Sequence, residues 1–116
     1  MRVVVADLEP EKKFIQRQDI EFLTYENKEF DTIICLEVLE HLYNPIKALQ
    51  ELKRTTNKQL IITIPKEPMY SLFRFLIPND FHLWTINPKI LAYYLGKPSL
   101  EKSLFFGRYY LGVWNY

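Results

Sequence analysis

Glu37, Glu40 and His41 stand at positions i, i+3 and i+4 of the stretch "CLEVLEHLYNP", residues 35–45. If "EVLEHL" is helical, this spacing sets two carboxylates and an imidazole on one face, with Val38, Leu39 and Leu42 turned to the core. Such a set forms most of a site for a hard-to-borderline divalent ion and needs a fourth ligand from elsewhere. His82 is the other histidine of the chain, placed after a long irregular segment that can fold back over the same sheet edge. The competing reading is structural: Glu37 and Glu40 favour a helix N-terminus through its dipole, while His41 donates to a backbone carbonyl. The local pattern leaves both open.

Asp7 closes the apolar run "RVVVAD". An acid at the end of a strand can accept two hydrogen bonds from a ribose diol, or it can simply start a turn. Cys35 is the single cysteine and has no adjacent His/Asn constellation, so it reads as a small buried hydrophobe rather than a nucleophile. The glycines are Gly96, Gly107 and Gly112, all late in the chain, so no glycine loop cradles a triphosphate.

The elements that must hold these residues follow from pattern. Residues 2–7 form a β-branched run too short for a helix and read as a buried strand; 19–25 alternates weakly as a short strand with Ile20, Phe22 and Tyr25 inward; 30–36 is another buried strand. In "NPIKALQELKRT", residues 44–55, Asn44 can cap, Pro45 suits the first helical position, and Lys53 and Arg54 fall where cations favour the dipole. Residues 59–65 read as a strand closed by Pro65, and Pro68 and Pro78 bracket a short helix in an aperiodic stretch. Residues 87–96 repeat the Asn-Pro start and add a Gly96 stop, and 99–116 read as a hairpin about Gly107 and Arg108. This order predicts an α/β sheet with a late antiparallel addition. Ligands collect beyond the carboxyl ends of parallel strands, so Asp7, the Cys35-Leu36-Glu37 turn and Pro65-Lys66-Glu67 are expected to share a crevice.

The composition fits one domain spanning 1–116: 48% apolar and 25% charged, with 15 basic against 14 acidic residues. The formal charge of +1 gives no global field toward nucleic acid or an anionic membrane. One cysteine excludes an internal disulfide, which makes a reducing cytoplasm the expected compartment. The N-terminus lacks a signal-peptide pattern, and "MYSLFRFLI", residues 69–77, is half a membrane span broken by Arg74.

Taken together, these motifs resemble class I S-adenosylmethionine-dependent methyltransferases, especially the group whose fourth strand runs into a Val-Leu-Glu-His helix. "VVVADLEP" is similar to their second strand, which implies a ribose-binding role for Asp7. "RQDIEFL" is similar to the segment that meets the adenine, which implies Asp19 at the amino group and Ile20 beside the ring. "FDTIICLEVLEHLYNPIKALQELKRTTNKQLIITIP" resembles the fourth strand, its helix and the fifth strand, with Cys35 and Leu36 at the cofactor. "FHLWTINPKILAYYL" resembles the stretch before the sixth strand. Some relatives that methylate oxygens, including those acting on RNA 2′-hydroxyls, bind a divalent ion through a Glu-x-x-Glu-His element. That implies Mg or Mn at Glu37, Glu40, His41 and His82.

The family's glycine-rich loop has no counterpart, since no glycine precedes Gly96. The resemblance therefore implies an N-terminally truncated, partial Rossmann-like sheet, mostly parallel with a C-terminal antiparallel hairpin, that exposes strand edges and binds S-adenosylmethionine weakly or not at all. The implied activity is methyl transfer to an oxygen or other small nucleophile, on a small molecule or RNA. The alternative is a non-catalytic interaction module, pairing as a homodimer or with a complete methyltransferase.

Overall fold

The structure is a computed structural model that describes residues 1–66 and 86–116. The helix expected between Pro68 and Pro78, Glu67 and His82 lie outside the described residues. Strands β1 (Ala6–Asp7) and β2 (Gln16–Arg17) pair in parallel as a small separate sheet. The main sheet contains β3 (Phe30–Leu36), β4 (Thr56–Pro65), β5 (Leu100–Leu104) and β6 (Tyr109–Asn115) in the order β3-β4-β6-β5. β3 runs parallel to β4, whereas β6 is antiparallel to both β4 and β5. The hairpin thus inserts its second strand beside β4, giving the expected α/β sheet with a late antiparallel addition.

Both helices begin where local chemistry dictates. In α1 (Pro45–Thr55) the Asn44 side chain accepts from Lys47 N at 3.0 Å, and in α2 (Pro88–Leu95) that of Asn87 accepts from Ile90 N at 3.1 Å. Gly96, at φ 90°, stops α2. Two threonines end α1: Thr55 Oγ1 donates to Glu51 O at 2.8 Å and Thr56 Oγ1 to Leu52 O at 2.7 Å. These hydroxyls satisfy carbonyls that a helix end leaves open, and the chain passes directly from α1 into β4, which starts at Thr56 rather than at residue 59.

Cross-strand register divides the main sheet into two faces. Ile33, Leu60 and Trp114 align across β3, β4 and β6, as do Cys35, Ile62 and Gly112. With Ala48, Leu49, Leu52, Leu91 and Leu95 from the helices, these residues build the core. On the other face Ile34, Ile61, Val113 and Leu100 form one apolar row across all four strands, and Ile34 is 61% exposed. Gly112 is required where it stands: a Cβ there would lie 2.5 Å from the Trp114 ring.

Three expectations are corrected. The 2–7 run is not a buried strand: among the described residues β1 pairs only with a two-residue partner, and Val3 is 70% exposed. The second strand lies at Gln16–Arg17, and 19–25 is a turn-rich segment with Phe22 exposed. "EVLEHL" is not an α-helix: Glu37 has φ 55°, which an α-helix cannot contain, and only Leu39–His41 form a 3-10 turn. Among the described residues, no helix is long and apolar enough to cross a membrane.

Candidate cofactor-binding site

Asp7 and Asp19 are brought together by parallel pairing. Val5 O accepts from Gln16 N at 2.8 Å, and Asp7 O accepts from Gln18 N at 2.9 Å. Asp19 therefore directly follows the residue that Asp7 contacts; Asp7 is the last residue of β1, and Asp19 lies two residues past the end of β2. Each acid shapes its own turn through a single oxygen: Asp7 Oδ1 accepts from Glu9 N at 3.0 Å, and Asp19 Oδ1 accepts from Glu21 N at 2.9 Å. A carboxylate accepts at both oxygens, so each exposed acid keeps accepting capacity for a ligand. Ile20 is half-buried against the core. Glu21 Oε1 accepts from Asn44 N at 2.6 Å, which ties this segment to the start of α1 and so to the end of β3.

An open groove of about 520 Å³ lies beside Asp7, lined by Val5, Asp7, Glu9, Glu11, Phe14 and Ile15 together with Lys12. Its size is that of a small-molecule site. Asp19, Ile20, Cys35 and Leu36 are not among its lining residues. Phe14 and Ile15 were not singled out from the sequence.

At the end of β3, Cys35 is the small buried hydrophobe expected of it. Cys35 faces the core at 5% exposure, whereas Leu36 faces the open side at 53%. Burial, reinforced by the Glu40 and Glu37 charges, pushes the Cys35 thiol up to about 12. A thiol-directed reagent at pH 8 is therefore expected to leave native Cys35 unmodified and to label it after denaturation. Fast labelling of the native protein would contradict this packing.

Glu40 is 2% exposed, and neither carboxyl oxygen has a hydrogen-bond partner among the described residues. Burial pushes its pKa up to about 7; its own backbone N–H and His41 oppose the rise, while Glu37 adds to it. His41 Nε2 lies 3.8 Å from Glu40 Oε1. Because Glu37 leaves the helical path and Glu40 is buried, the two carboxylates and the imidazole do not share the helix face expected of them. Among the described residues, no group of three or more His, Cys, Asp or Glu side chains is arranged to hold a metal ion. Glu37, Glu40 and His41 by themselves do not make up an Mg or Mn site, and His82, the fourth expected ligand, lies outside the described residues.

A polar bracket not evident from the sequence fastens the 19–28 segment. Arg54 donates through Nε and Nη2 to the two Glu51 oxygens, each at 2.9 Å. It also donates to Leu23 O at 3.0 Å, Tyr25 O at 2.8 Å and Asn27 Oδ1 at 3.0 Å. Glu51 Oε2 in turn accepts from Leu23 N at 2.9 Å. The hydrogen bonds from Arg54 hold the Glu51 carboxyl below the usual carboxylate range.

A β-strand ending in an exposed acid, a parallel β3–α1–β4 crossover and an antiparallel β6 beside β4 together define a partial Rossmann-like fold of the class I S-adenosylmethionine-dependent methyltransferases. Residues 1–62 match the sequence profile of the family described as "Methyltransferase domain", and the chain belongs to that family. Solved structures agree in fold. A possible histamine N-methyltransferase from Thermotoga maritima superposes with a TM-score of 0.69 at 12% identity, over 88% of this chain and 63% of that one. A magnesium protoporphyrin IX methyltransferase from Synechocystis PCC 6803, with bound SAH, gives 0.64 at 18% identity, over 85% and 48%. A stretch of 32 residues is 59% identical to a tRNA U34 carboxymethyltransferase from Campylobacter fetus, covering 28% of this chain and 11% of that protein. The chain spans less than two thirds of the length of each of these proteins.

Proposed function

We propose that this chain holds S-adenosylmethionine mainly by its nucleoside and belongs to a methyltransferase acting on an oxygen or other small nucleophile. The observation that carries this reading is the link from Asp7 O to Gln18 N, the residue before Asp19, so that both acids lie at or just past the carboxyl ends of two paired parallel strands. Bound there, the cofactor supplies an electrophilic methyl on a sulfonium.

The residues of this chain bind and orient. Asp7 accepts the ribose hydroxyls through the carboxylate capacity left by its turn, Asp19 accepts the adenine amino group, and Ile20 offers an apolar flank. The backbone at Cys35 and Leu36 closes the strand-end side, since the Cys35 side chain is committed to the core. None of residues 1–95 is a glycine, so these residues offer no glycine loop for close backbone approach to the methionine end. The acceptor class is a small molecule or RNA, and the short likeness to a tRNA-modifying enzyme supports RNA.

Asp7→Asn tests the assignment. A hydrogen bond to a charged acceptor is worth about 1.5–3 kcal/mol, so the variant is expected to weaken S-adenosylhomocysteine binding roughly tenfold or more in equilibrium dialysis. Unchanged affinity would remove Asp7 from the site.

A second reading is favoured by the apolar row Ile34, Ile61, Val113 and Leu100 and by the edge position of β3: the domain serves as an interaction module, pairing with itself or with a complete methyltransferase. Light scattering that shows a strict monomer at high concentration counts against self-pairing.

A further inference from the structure

Arg54 has five N–H donors, and the structure gives all five an acceptor: the two Glu51 oxygens, Leu23 O, Tyr25 O and Asn27 Oδ1. Its backbone also takes part, because Arg54 O accepts from Lys28 N at 2.8 Å. With the bond from Leu23 N to Glu51, one i, i+3 pair on α1 meets backbone groups of Leu23, Tyr25 and Lys28. α1 has its own anchors: the Asn44 cap, the two threonine hydroxyls at its end, and the fully buried Ala48 and Leu49. The 19–28 segment has no strand or helix, and of residues 19–28 only Ile20 packs on the core cluster. Its location is therefore set largely by polar contacts to α1.

We infer that Glu51 and Arg54 are positioning residues for the cofactor's nucleoside, fixing the segment from which Asp19 and Ile20 meet it. This rests on the cofactor reading above. The pair touches no ligand; it acts by holding backbone carbonyls and an N–H at the far side of the 19–25 turn. Asp19 is the first residue of this segment, and Gln18 closes it by accepting from Thr24 N at 3.1 Å and donating to Thr24 Oγ1 at 2.7 Å. Displacement at Leu23 is thereby passed to Asp19 through the Gln18–Thr24 contact. Lysine cannot substitute for Arg54, because a compact ammonium with three donors does not reach five acceptors spread around a planar fork.

The test compares wild type, R54K, E51Q, D19N and the double variant R54K/D19N. Calorimetric titration with S-adenosylhomocysteine is paired with amide hydrogen exchange. R54K is expected to weaken binding roughly tenfold and to speed exchange at Leu23 and Lys28, with β4 amides unchanged. A purely structural role would not produce the decisive signature: in the D19N background, R54K adds less than about a twofold further loss, because both changes remove the same contact. E51Q keeps the side-chain shape but loses one acceptor, and it is expected to weaken binding several-fold; it decides the matter if R54K does not fold. The inference is overturned if wild type binds and R54K and E51Q bind equally well, or if the R54K and D19N losses multiply. Failure of wild type to bind is a different result, which overturns the cofactor reading and this inference with it.

Discussion

Glutamine in place of Glu40 is expected to make the fold more stable at pH 8 by roughly 2–3 kcal/mol while changing little near pH 4. Burial holds the folded-state pKa of Glu40 at about 7, above its ordinary value of 4.5. Between these values the folded chain keeps a proton that the unfolded chain has released. Stability therefore falls as pH rises through this window, and the wild-type loss is complete above about pH 7. The carboxyl oxygens have no hydrogen-bond partner among the described residues, so their desolvation is offset only in part, by the backbone N–H of Glu40 and by His41. Glutamine carries no charge and removes the pH dependence. Urea denaturation of both proteins at several pH values measures the effect; parallel stability curves would show that the Glu40 carboxylate is compensated in the folded state.

Alanine at Trp114 is expected to cost about 3–5 kcal/mol, enough to unfold a marginally stable domain. Trp114 is 1% exposed, pairs with Leu60 across β4 and β6, and covers Gly112. Its Nε1–H donates to Gly96 O at 2.8 Å, which fastens the end of α2 to the main sheet. Phenylalanine retains most of the apolar burial but drops this bond, so W114F should lose about 1 kcal/mol plus the cost of the smaller ring. Denaturation midpoints followed by circular dichroism distinguish the two substitutions. Equal losses would mean that the indole hydrogen bond, rather than ring volume, dominates.

Features governed by neighbours in the chain were legible in the sequence. Asn44-Pro45 and Asn87-Pro88 start helices because a cap needs only residues three positions away, and Gly96 stops α2 through its own backbone freedom. Asp7 at a strand end was readable for the same reason. Features that depend on distant partners were not. The β-branched run at 2–7 has strand propensity, but its burial depends on an element to cover it, and Val3 and Val5 stay exposed. The i, i+3, i+4 spacing of Glu37, Glu40 and His41 is meaningful only within an α-helix; the left-handed Glu37 and a 3-10 turn replace that helix. The Glu51–Arg54 bracket escaped notice because most of its partners are backbone groups of residues 23–28, which carry no side-chain signature. Lys53 and Arg54 looked alike at the helix end, yet Lys53 is exposed whereas the Arg54 guanidinium is fully engaged.

The central claim is that these residues hold S-adenosylmethionine by its nucleoside. Calorimetric titration of the 116-residue chain with S-adenosylmethionine, followed by displacement with S-adenosylhomocysteine and with adenosine, tests it most directly. The account predicts binding with a dissociation constant of about 0.1–1 mM, and displacement by both competitors. No heat from the cofactor and no competition at millimolar concentration would contradict it.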